Sequence, residues 1–428
     1  NKIDSLMLSL RELSDSINNF ATGNPPGSLE KSMTLHKSVN ARIKDNETLI
    51  SYFMSDSALF TFVIAPDTFL LIRNKKYNKD NLKVLIHEYL SALKKYEKDR
   101  LPELSFKLYK ALLGDFRKVI ESSDKLILIP DKDLFLLPFE TLTAKFEQVD
   151  EFSDFAKQDF IINHFRLLYH YSSRLWSSEK SCSPFPVNGL LAFAPVFSDD
   201  KGNAIISHNE GFSMESSGTV QSYPFSGSRM NLRELPYSLA ETDSLKHLFE
   251  SRGIRTGIFT HDNATERNFK QNIGKYKFVH IATHGIFDNK NPEYSGLVFT
   301  PDQENVINDT LPEYTEDGVL YAKDLYPLDI NADLVTLSAC ETGKGKLEEG
   351  EGFIGLLRGF ISAGARNVLF SYWKVDDRST LLFMNSFYRF LLNGDNYCSA
   401  LRNSKIELIK KPETSYPLLW GSFALIGR

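Results

Sequence analysis

Two glycine-ended segments, Lys277-Phe-Val-His-Ile-Ala-Thr-His-Gly285 and Asp333-Leu-Val-Thr-Leu-Ser-Ala-Cys-Glu-Thr-Gly343, decide how this chain is interpreted. Each begins with a short run of β-branched and aromatic residues and reaches glycine soon after a reactive side chain. That pattern is typical of a buried parallel strand that ends at a functional edge. The reactive side chains are His284 in the first segment and Cys340 in the second.

Strand and helix patterns alternate on both sides of these segments. The predicted order is a strand at 189–195, a helix at 238–251, a strand at 254–259, a helix at 265–273, the two quoted segments, a helix at 352–363, a strand at 367–373, two helices and a last strand near 422–426. Repeated β-α-β units predict a doubly wound, mostly parallel α/β sheet with helices on both faces, whose ligands bind outside the carboxyl ends of the strands. We expect His284 and Cys340 at that edge.

The upstream part of the chain predicts a smaller α/β support domain at 45–180, because strands and helices alternate there too. Its elements are a hairpin of strands at 59–64 and 69–72, helices near 80–98 and 103–121, and strands at 125–130 and 160–169. Residues 1–44 form a separate segment, in which Ile3, Leu6, Leu10, Leu13 and Ile17 have helical spacing. We interpret it as a helical segment that could end a helical repeat array lying upstream.

A Ser/Pro-rich linker at 177–186 separates the support domain from a catalytic domain at 186–428. Within that domain, the Ser/Gly-rich segment 198–233 is expected to be a long loop, and the acidic, proline-containing segment 288–318 is expected to be an insertion. Long loops in compact domains tend to be functional or disordered. Both segments could cover the cleft.

Composition excludes several classes of function. The chain of 428 residues has a net charge of −5 with acidic and basic residues interspersed, so no basic stripe for nucleic acid is evident. No apolar run is long enough to cross a bilayer, and the first residues lack the pattern of a signal peptide. Three cysteines are too few and too scattered for a disulfide framework or a zinc site, which favours a cytoplasmic location.

The two quoted segments contain the groups that a cysteine peptidase needs. Such an enzyme uses a thiolate, an imidazole that lowers the thiol pKa and protonates the leaving amine, and N–H groups that hold the oxyanion. Cys340 would be the nucleophile and His284 the general acid and base, with the backbone N–H groups of Gly285 and Cys340 as oxyanion donors. The spacing of 56 positions between His284 and Cys340 is close to the roughly 50 found in caspase-type peptidases.

Competing motifs are weaker. His280 and His284 have the spacing of a metalloprotease helix, but the glutamate of that motif is replaced by isoleucine, and in a strand the two rings would stand about 13 Å apart. The segment 343–346 lacks the spacing of a phosphate loop. Cys182 and Cys398 have no neighbouring histidine and are expected to be structural. No metal is therefore expected.

The ordered motifs of this chain resemble those of the CHAT family, caspase-like cysteine peptidases that are often fused to tetratricopeptide repeats. The resemblance extends from about residue 45 to the end and lies in these segments: Ile129-Pro-Asp131, Leu137-Pro-Phe-Glu-Thr-Leu142, Asn263-Ala-Thr-Glu266, His280-Ile-Ala-Thr-His-Gly285, Leu337-Ser-Ala-Cys-Glu-Thr-Gly343, Gly350-Glu-Gly-Phe-Ile-Gly-Leu-Leu-Arg-Gly-Phe360, Ala363-Gly-Ala365, Trp373-Lys-Val-Asp-Asp377 and Trp420-Gly-Ser-Phe-Ala-Leu-Ile-Gly427. It implies a caspase-like fold, a dyad of His284 and Cys340, no cofactor and a protein substrate. It also implies that the upstream half is a less reactive, pseudo-caspase-like domain, as in separases.

The sequence before Cys340 departs from that of metacaspase-like relatives that prefer basic residues at the cleavage site. Those enzymes have an aspartate two positions before the cysteine, where this chain has Ser338. Ser338, Glu341, Asp376 and Asp377 are the candidate substrate-binding residues. Capping of the following helix is the competing role for the two aspartates.

Three functional hypotheses follow. The first is a cytoplasmic cysteine endopeptidase that cleaves a specific protein substrate and is activated by a partner protein or by an upstream repeat domain. The second is a catalytically silent, caspase-like scaffold that binds partner proteins. The third is self-processing within the 198–233 segment.

Overall fold

The computed structural model describes residues 42–171, 187–195, 203–205, 212–216, 219–223, 229–231, 235–286, 288, 291–301, 318–338, 351–373 and 377–427. Cys182, Cys340, Glu341, Asp376 and the helix expected at 3–20 lie outside these residues, and only the backbone is described at Asp377. The boundary predicted at 177–186 also falls in a gap, so the division into domains stays a prediction.

The described strands of both halves of the chain form one large sheet. Its strands are β1 (Glu47–Met54), β2 (Leu59–Ala65), β3 (Thr68–Asn74), β4 (Lys125–Ile129), β5 (Arg166–Tyr169), β6 (Val187–Ala194), β11 (Arg255–Thr260), β12 (Tyr276–Ile281), β16 (Leu334–Leu337), β17 (Val368–Ser371) and β18 (Phe423–Ile426). Their order across the sheet is β11-β6-β12-β16-β17-β18-β5-β4-β1-β2-β3.

Helices flank the sheet along both halves. They are α1 (Lys79–Lys94), α2 (Leu101–Leu112), α3 (Arg117–Ile120), α4 (Ile161–His164), α5 (Pro236–Glu250), α6 (Glu266–Asn272), α7 (Ala322–Leu325), α8 (Glu351–Ser362), α9 (Asp377–Leu392), α10 (Tyr397–Ile409) and α11 (Pro417–Trp420). Several begin at side chains that accept a backbone hydrogen bond, including Asn78 before α1, Thr265 before α6 and Asn396 before α10. Such caps satisfy N–H groups that have no partner within the helix.

Strand direction divides the sheet into two halves. Strands β11, β6, β12, β16 and β17 are parallel, whereas β18 runs antiparallel to β17 and parallel to β5. The carboxyl ends of the downstream parallel strands and those of β4 and β5 therefore point to opposite edges. This mostly parallel, helix-flanked sheet confirms the predicted fold class.

The upstream half contains the predicted hairpin but differs from the prediction at residues 160–169. Strands β2 and β3 pair antiparallel around a two-residue turn, as expected. The segment predicted as a strand at 160–169 instead contains the short helix α4 followed by β5. Ile161 N donates to Leu142 O (2.8 Å), which turns the chain before β5 begins. A short apolar run does not by itself distinguish a buried helical turn from a strand, and here it was misread.

A buried polar network joins the two halves beneath β5 and β18. Lys405 of α10 lies 3.1 Å from Glu140, and both side chains are fully buried. Tyr169 Oη donates to the second oxygen of Glu140 (2.6 Å) and accepts from Phe139 N (3.0 Å). Burial lowers the pKa of Lys405, and the carboxylate of Glu140 opposes that shift.

Small strands occur in the segment predicted to be a loop and beside His284. Strands β7 (Asn203–Ile205) and β10 (Arg229–Asn231) pair, as do β8 (Phe212–Ser216) and β9 (Thr219–Tyr223). The prediction of a loop at 198–233 was therefore wrong for the described parts of that segment. Strands β13 (Gly285–Ile286), β14 (Gly296–Val298) and β15 (Val319–Tyr321) form a three-stranded sheet that the sequence pattern did not reveal.

Among the described residues, we find no helix with the combination of length and apolar character that a membrane span requires.

Candidate active site

Strand β12 delivers His284 to the sheet edge. It lies between β6 and β16 and is parallel to both, with Ile281 paired to Phe193 and to Leu337. Ala282 N extends the pairing by donating to Phe193 O (2.9 Å). His284 follows two residues later and is only 6% exposed.

The small β13-β14-β15 sheet fixes the backbone around His284. Val298 N donates to His284 O (2.9 Å), and Thr283 Oγ1 donates to Val298 O. Gly285 begins β13 and pairs with Leu297. The histidine therefore lies at a corner where the chain leaves the large sheet and enters the small one. Gly285 is buried directly after it.

Strand β16 brings the second segment to the same edge. Its last residue, Leu337, pairs with Ile281, and Ser338 N continues the ladder by donating to Ile281 O (2.9 Å). Ser338 is 8% exposed. In the sequence, His284 comes three residues after Ile281 and Cys340 three residues after Leu337. The two residues therefore have equivalent sequence offsets from a pair of neighbouring strands.

His280, four residues before His284 on strand β12, belongs to a buried network that reaches two helices. Its Nε2 lies 2.8 Å from Glu241 Oε1, within ion-pair distance but outside hydrogen-bond geometry, and both side chains are buried. Tyr388 Oη lies 3.4 Å from His280 Nδ1 and 2.8 Å from Thr336 Oγ1. Burial raises the pKa of Tyr388 well above its usual value.

This network connects the two strands that lead to the candidate site. His280 is on β12 and pairs with Thr336 on β16, while Glu241 and Tyr388 are on α5 and α9. We infer that the network holds the two strands in register against those helices. Sequence reasoning missed Glu241, Thr336 and Tyr388. The available signal was a histidine in the middle of an apolar strand, because a buried polar ring needs a partner.

Cys398 is the free cysteine of the described residues, and its surroundings fit the expected structural role. It is buried on α10, and burial raises the pKa of its thiol. A thiol of that kind is poorly reactive.

Comparison with known proteins identifies the family. The family profile named CHAT domain matches residues 102–428. The chain belongs to the CHAT-domain family. This match includes β12, β16 and their helices, together with part of the upstream half.

Two curated relatives match a shorter part of this CHAT-domain chain. They are "Tetratricopeptide repeat protein 28" of Mus musculus, 33% identical over 191 residues, and the protein of the same name of Homo sapiens, 29% identical over 191 residues. Each match covers 38% of this chain and 8% of the relative. The chain therefore matches only a small fraction of the length of these relatives.

A solved structure resembles almost the whole CHAT-domain chain. In the Saccharomyces cerevisiae separase–securin complex at 3.0 Å resolution, one chain matches with a TM-score of 0.50 and 10% sequence identity. The match covers 96% of this chain and 32% of that one. At this identity the likeness establishes the fold, which is caspase-like.

Proposed function

We propose that this chain is a cysteine endopeptidase in which His284 activates Cys340. The observation that carries the proposal is the pairing of Ile281 with Leu337, because each candidate residue follows its member of that pair by three positions. Neighbouring strands lie about 4.8 Å apart, which supports the proposal that side chains just beyond such a pair come close enough for proton transfer.

The proposed chemistry is acyl transfer from a protein substrate. Cys340 Sγ, deprotonated by the His284 imidazole, attacks the scissile carbonyl, and N–H groups of Gly285 and Cys340 hold the oxyanion. The protonated imidazole then donates its proton to the leaving amine, and water hydrolyses the thioester. Ser338, Glu341, Asp376 and Asp377 are proposed to contact the substrate.

Regulation by another protein or domain is part of the proposal. The curated relatives are named for tetratricopeptide repeats, and the separase structure contains securin as a second protein. By analogy, a repeat domain or partner protein would control access to the site, and a cytoplasmic location would keep Cys340 reduced.

A catalytically silent scaffold is the second candidate, and the burial of His284 favours it. At 6% exposure the histidine is shielded from a substrate. In this alternative, the caspase-like surface binds a partner protein without cleaving it.

Peptide electrophiles test the proposal. A panel of biotinylated peptide vinyl sulfones that differ in the residue at the cleavage position is incubated with the chain, with and without proteins that co-purify with it. We expect labelling at Cys340 that is lost in Cys340→Ala and slowed about 100-fold or more in His284→Ala. Cys398→Ala is the matched control and should label like the wild type.

Two outcomes would contradict the proposal. Equal labelling of His284→Ala and wild type would remove the histidine from the mechanism. Failure of Cys340 to label with any member of the panel, even in the presence of a partner protein, would favour the scaffold.

A further inference from the structure

One face of the upstream part of the large sheet is apolar. The cluster of buried residues on that face includes no residue of a described helix. Strand register places Leu49, Ile64, Ile127 and Phe69 side by side in one row across β4, β1, β2 and β3. Ser51, Phe62, Leu71 and Ile129 form the next row. We call these two rows the N-terminal sheet face.

The opposite face of the same strands is covered in the usual way. Ile50 and Tyr52 of β1 belong to the main core together with residues of α1 and α2. On the N-terminal sheet face, in contrast, Ile43, Leu49, Ile64, Ile127 and Ile129 form a separate buried cluster. Strands β4 and β1 of this face are parallel, and parallel strands are normally covered on both faces, so a layer is expected over them.

Exposed apolar side chains extend this cluster toward the sheet edge. Phe69 is 48% exposed and Leu71 is 47% exposed, both on the edge strand β3. On the other side, α10 is next to β5, where Arg166 donates to Ser399 (3.3 Å). Beyond β5 lie β4, β1, β2 and β3, and the three spacings between these four strands span roughly 14 Å, enough for one helix about 10–12 Å across.

The chain itself supplies a segment of the right length at the right place. Forty-one residues precede Arg42, the first described residue, and Ile43 is a member of the buried cluster. The chain thus enters the fold at this face. A helix over residues 3–20 would be about 27 Å long, comparable to the roughly 23 Å of a seven-residue strand. The residues that follow it are numerous enough to let it fold back.

Sequence pattern and charge match the same face. Ile3, Leu6, Leu10, Leu13 and Ile17 lie on one side of such a helix. Residues 3–20 contain three acidic residues, Asp4, Glu12 and Asp15, and one basic residue, Arg11, so the segment is net acidic. At the sheet edge, the end of β3 is bordered by exposed Arg73, Lys75 and Lys76. Opposite charges at the rim favour this pairing over a basic partner.

We propose that residues 3–20 form an amphipathic helix that packs Ile3, Leu6, Leu10, Leu13 and Ile17 on the N-terminal sheet face. The helix completes the second layer of the upstream half and covers the exposed apolar side chains of β3. The N-terminal segment is then an integral part of this sheet layer.

Hydrogen–deuterium exchange of the full chain tests the proposal with a matched pair of variants. Leu10→Asp places a charge in the apolar stripe, and Leu8→Asp makes the same change on the opposite side of the predicted helix. We expect Leu10→Asp to speed exchange about tenfold or more in residues 3–20 and in β1 to β3, with α8 and β17 unchanged. Leu8→Asp should exchange like the wild type.

A second pair tests the sheet side of the contact. Phe69→Glu should speed exchange in residues 3–20, whereas Val84→Glu, on α1 with 58% exposure, should not. The proposal would be overturned if the two variants of either pair changed exchange equally. It would also be overturned if neither Leu10→Asp nor Phe69→Glu changed exchange in residues 3–20 and β1 to β3. A doubled mass in sedimentation that Phe69→Glu reduces to that of one chain would likewise overturn it, because the face would then bind a second copy.

Discussion

At the scale of single residues, the molecule places its buried polar groups where strands and helices meet. His280 is held among Glu241, Tyr388 and Thr336, and Glu140 is held between Lys405 and Tyr169. A buried polar group is costly without a partner, so such clusters restrict the packing to one arrangement. The first cluster lies behind the candidate site, and the second joins the two halves of the sheet.

Removal of Lys405 should reveal the cost of an unpaired buried carboxylate. Lys405→Met is expected to lower the free energy of unfolding by about 3–5 kcal/mol, because Glu140 keeps only the hydrogen bond from Tyr169. Urea denaturation provides the measurement. The double variant Glu140→Gln with Lys405→Met should recover at least about 1 kcal/mol of that loss. A single variant as stable as the wild type would show that the pair does not hold the halves together.

The sequence suggests candidate reactive residues but does not suggest the side chains that support their strands. His284 and Cys340 are candidates because each follows a mostly apolar run and is followed by glycine within three residues. Glu241 could not be assigned to His280 in the same way, since it is one of three acidic residues on a helix of mixed polarity, 39 positions upstream. Partners that are distant in sequence depend on helix orientation, which periodicity does not specify.

At the scale of elements, close packing of α8 depends on two glycines of the Gly350–Phe360 motif. A Cβ atom on Gly355 would lie 2.8 Å from Pro292 O, and one on Gly359 would lie 2.8 Å from Leu325 Cδ1. The helix therefore approaches α7 and the turn after His284 more closely than any larger residue allows. The glycines position α8, the first described element after Cys340, against the segments that follow His284.

Gly355→Ala tests this close approach. The contact is with a backbone oxygen, so overpacking should cost about 1–3 kcal/mol, more than the gain of up to about 1 kcal/mol from better helix propensity. We expect a lower urea midpoint than that of the wild type. Ser362→Ala is the control, because Ser362 is exposed on the same helix. A Gly355→Ala variant more stable than the wild type would contradict the packing argument.

The length of the hydrophobic pattern in each element explains which elements could be predicted from the sequence. The long strands and helices of the downstream half were predicted within a few residues, because each has a full apolar period. Strands β13, β14 and β15 have two or three residues each, too few for any period to appear. Backbone hydrogen bonds to the His284 corner define them, and a sequence does not display such bonds.

At the scale of the whole molecule, the sheet is shared by two halves of opposite strand direction and is lined by buried tyrosines. Tyr52, Tyr169 and Tyr372 are buried, and burial raises the pKa of each well above 10. In the unfolded chain they would ionise near pH 10. The folded chain therefore keeps protons that the unfolded chain loses.

Alkaline pH should consequently destabilise the fold. The stabilisation is complete below pH 10 and falls as the pH rises above 10, by about 1.4 kcal/mol per pH unit for each of these tyrosines. The lowered pKa of Lys405 has the opposite effect on stability. Between that pKa and the usual lysine value, the free energy of unfolding rises with pH. Thermal melts between pH 8 and 11.5 give the profile. Tyr52→Phe should make the fall less steep, and equal stability at pH 9 and pH 11 would contradict the account.

The central claim is that His284 lowers the pKa of the Cys340 thiol, and the rate of alkylation of Cys340 tests it most directly. Iodoacetamide is used from pH 5 to 10, and the modified peptide is quantified by mass spectrometry in the wild type, in His284→Ala and in His247→Ala, which removes an exposed histidine of α5. We predict a rate that reaches half its maximum well below pH 8.5 in the wild type and near pH 8.5 in His284→Ala. His247→Ala should stay close to the wild type. A midpoint near pH 8.5 in all three proteins would contradict the claim.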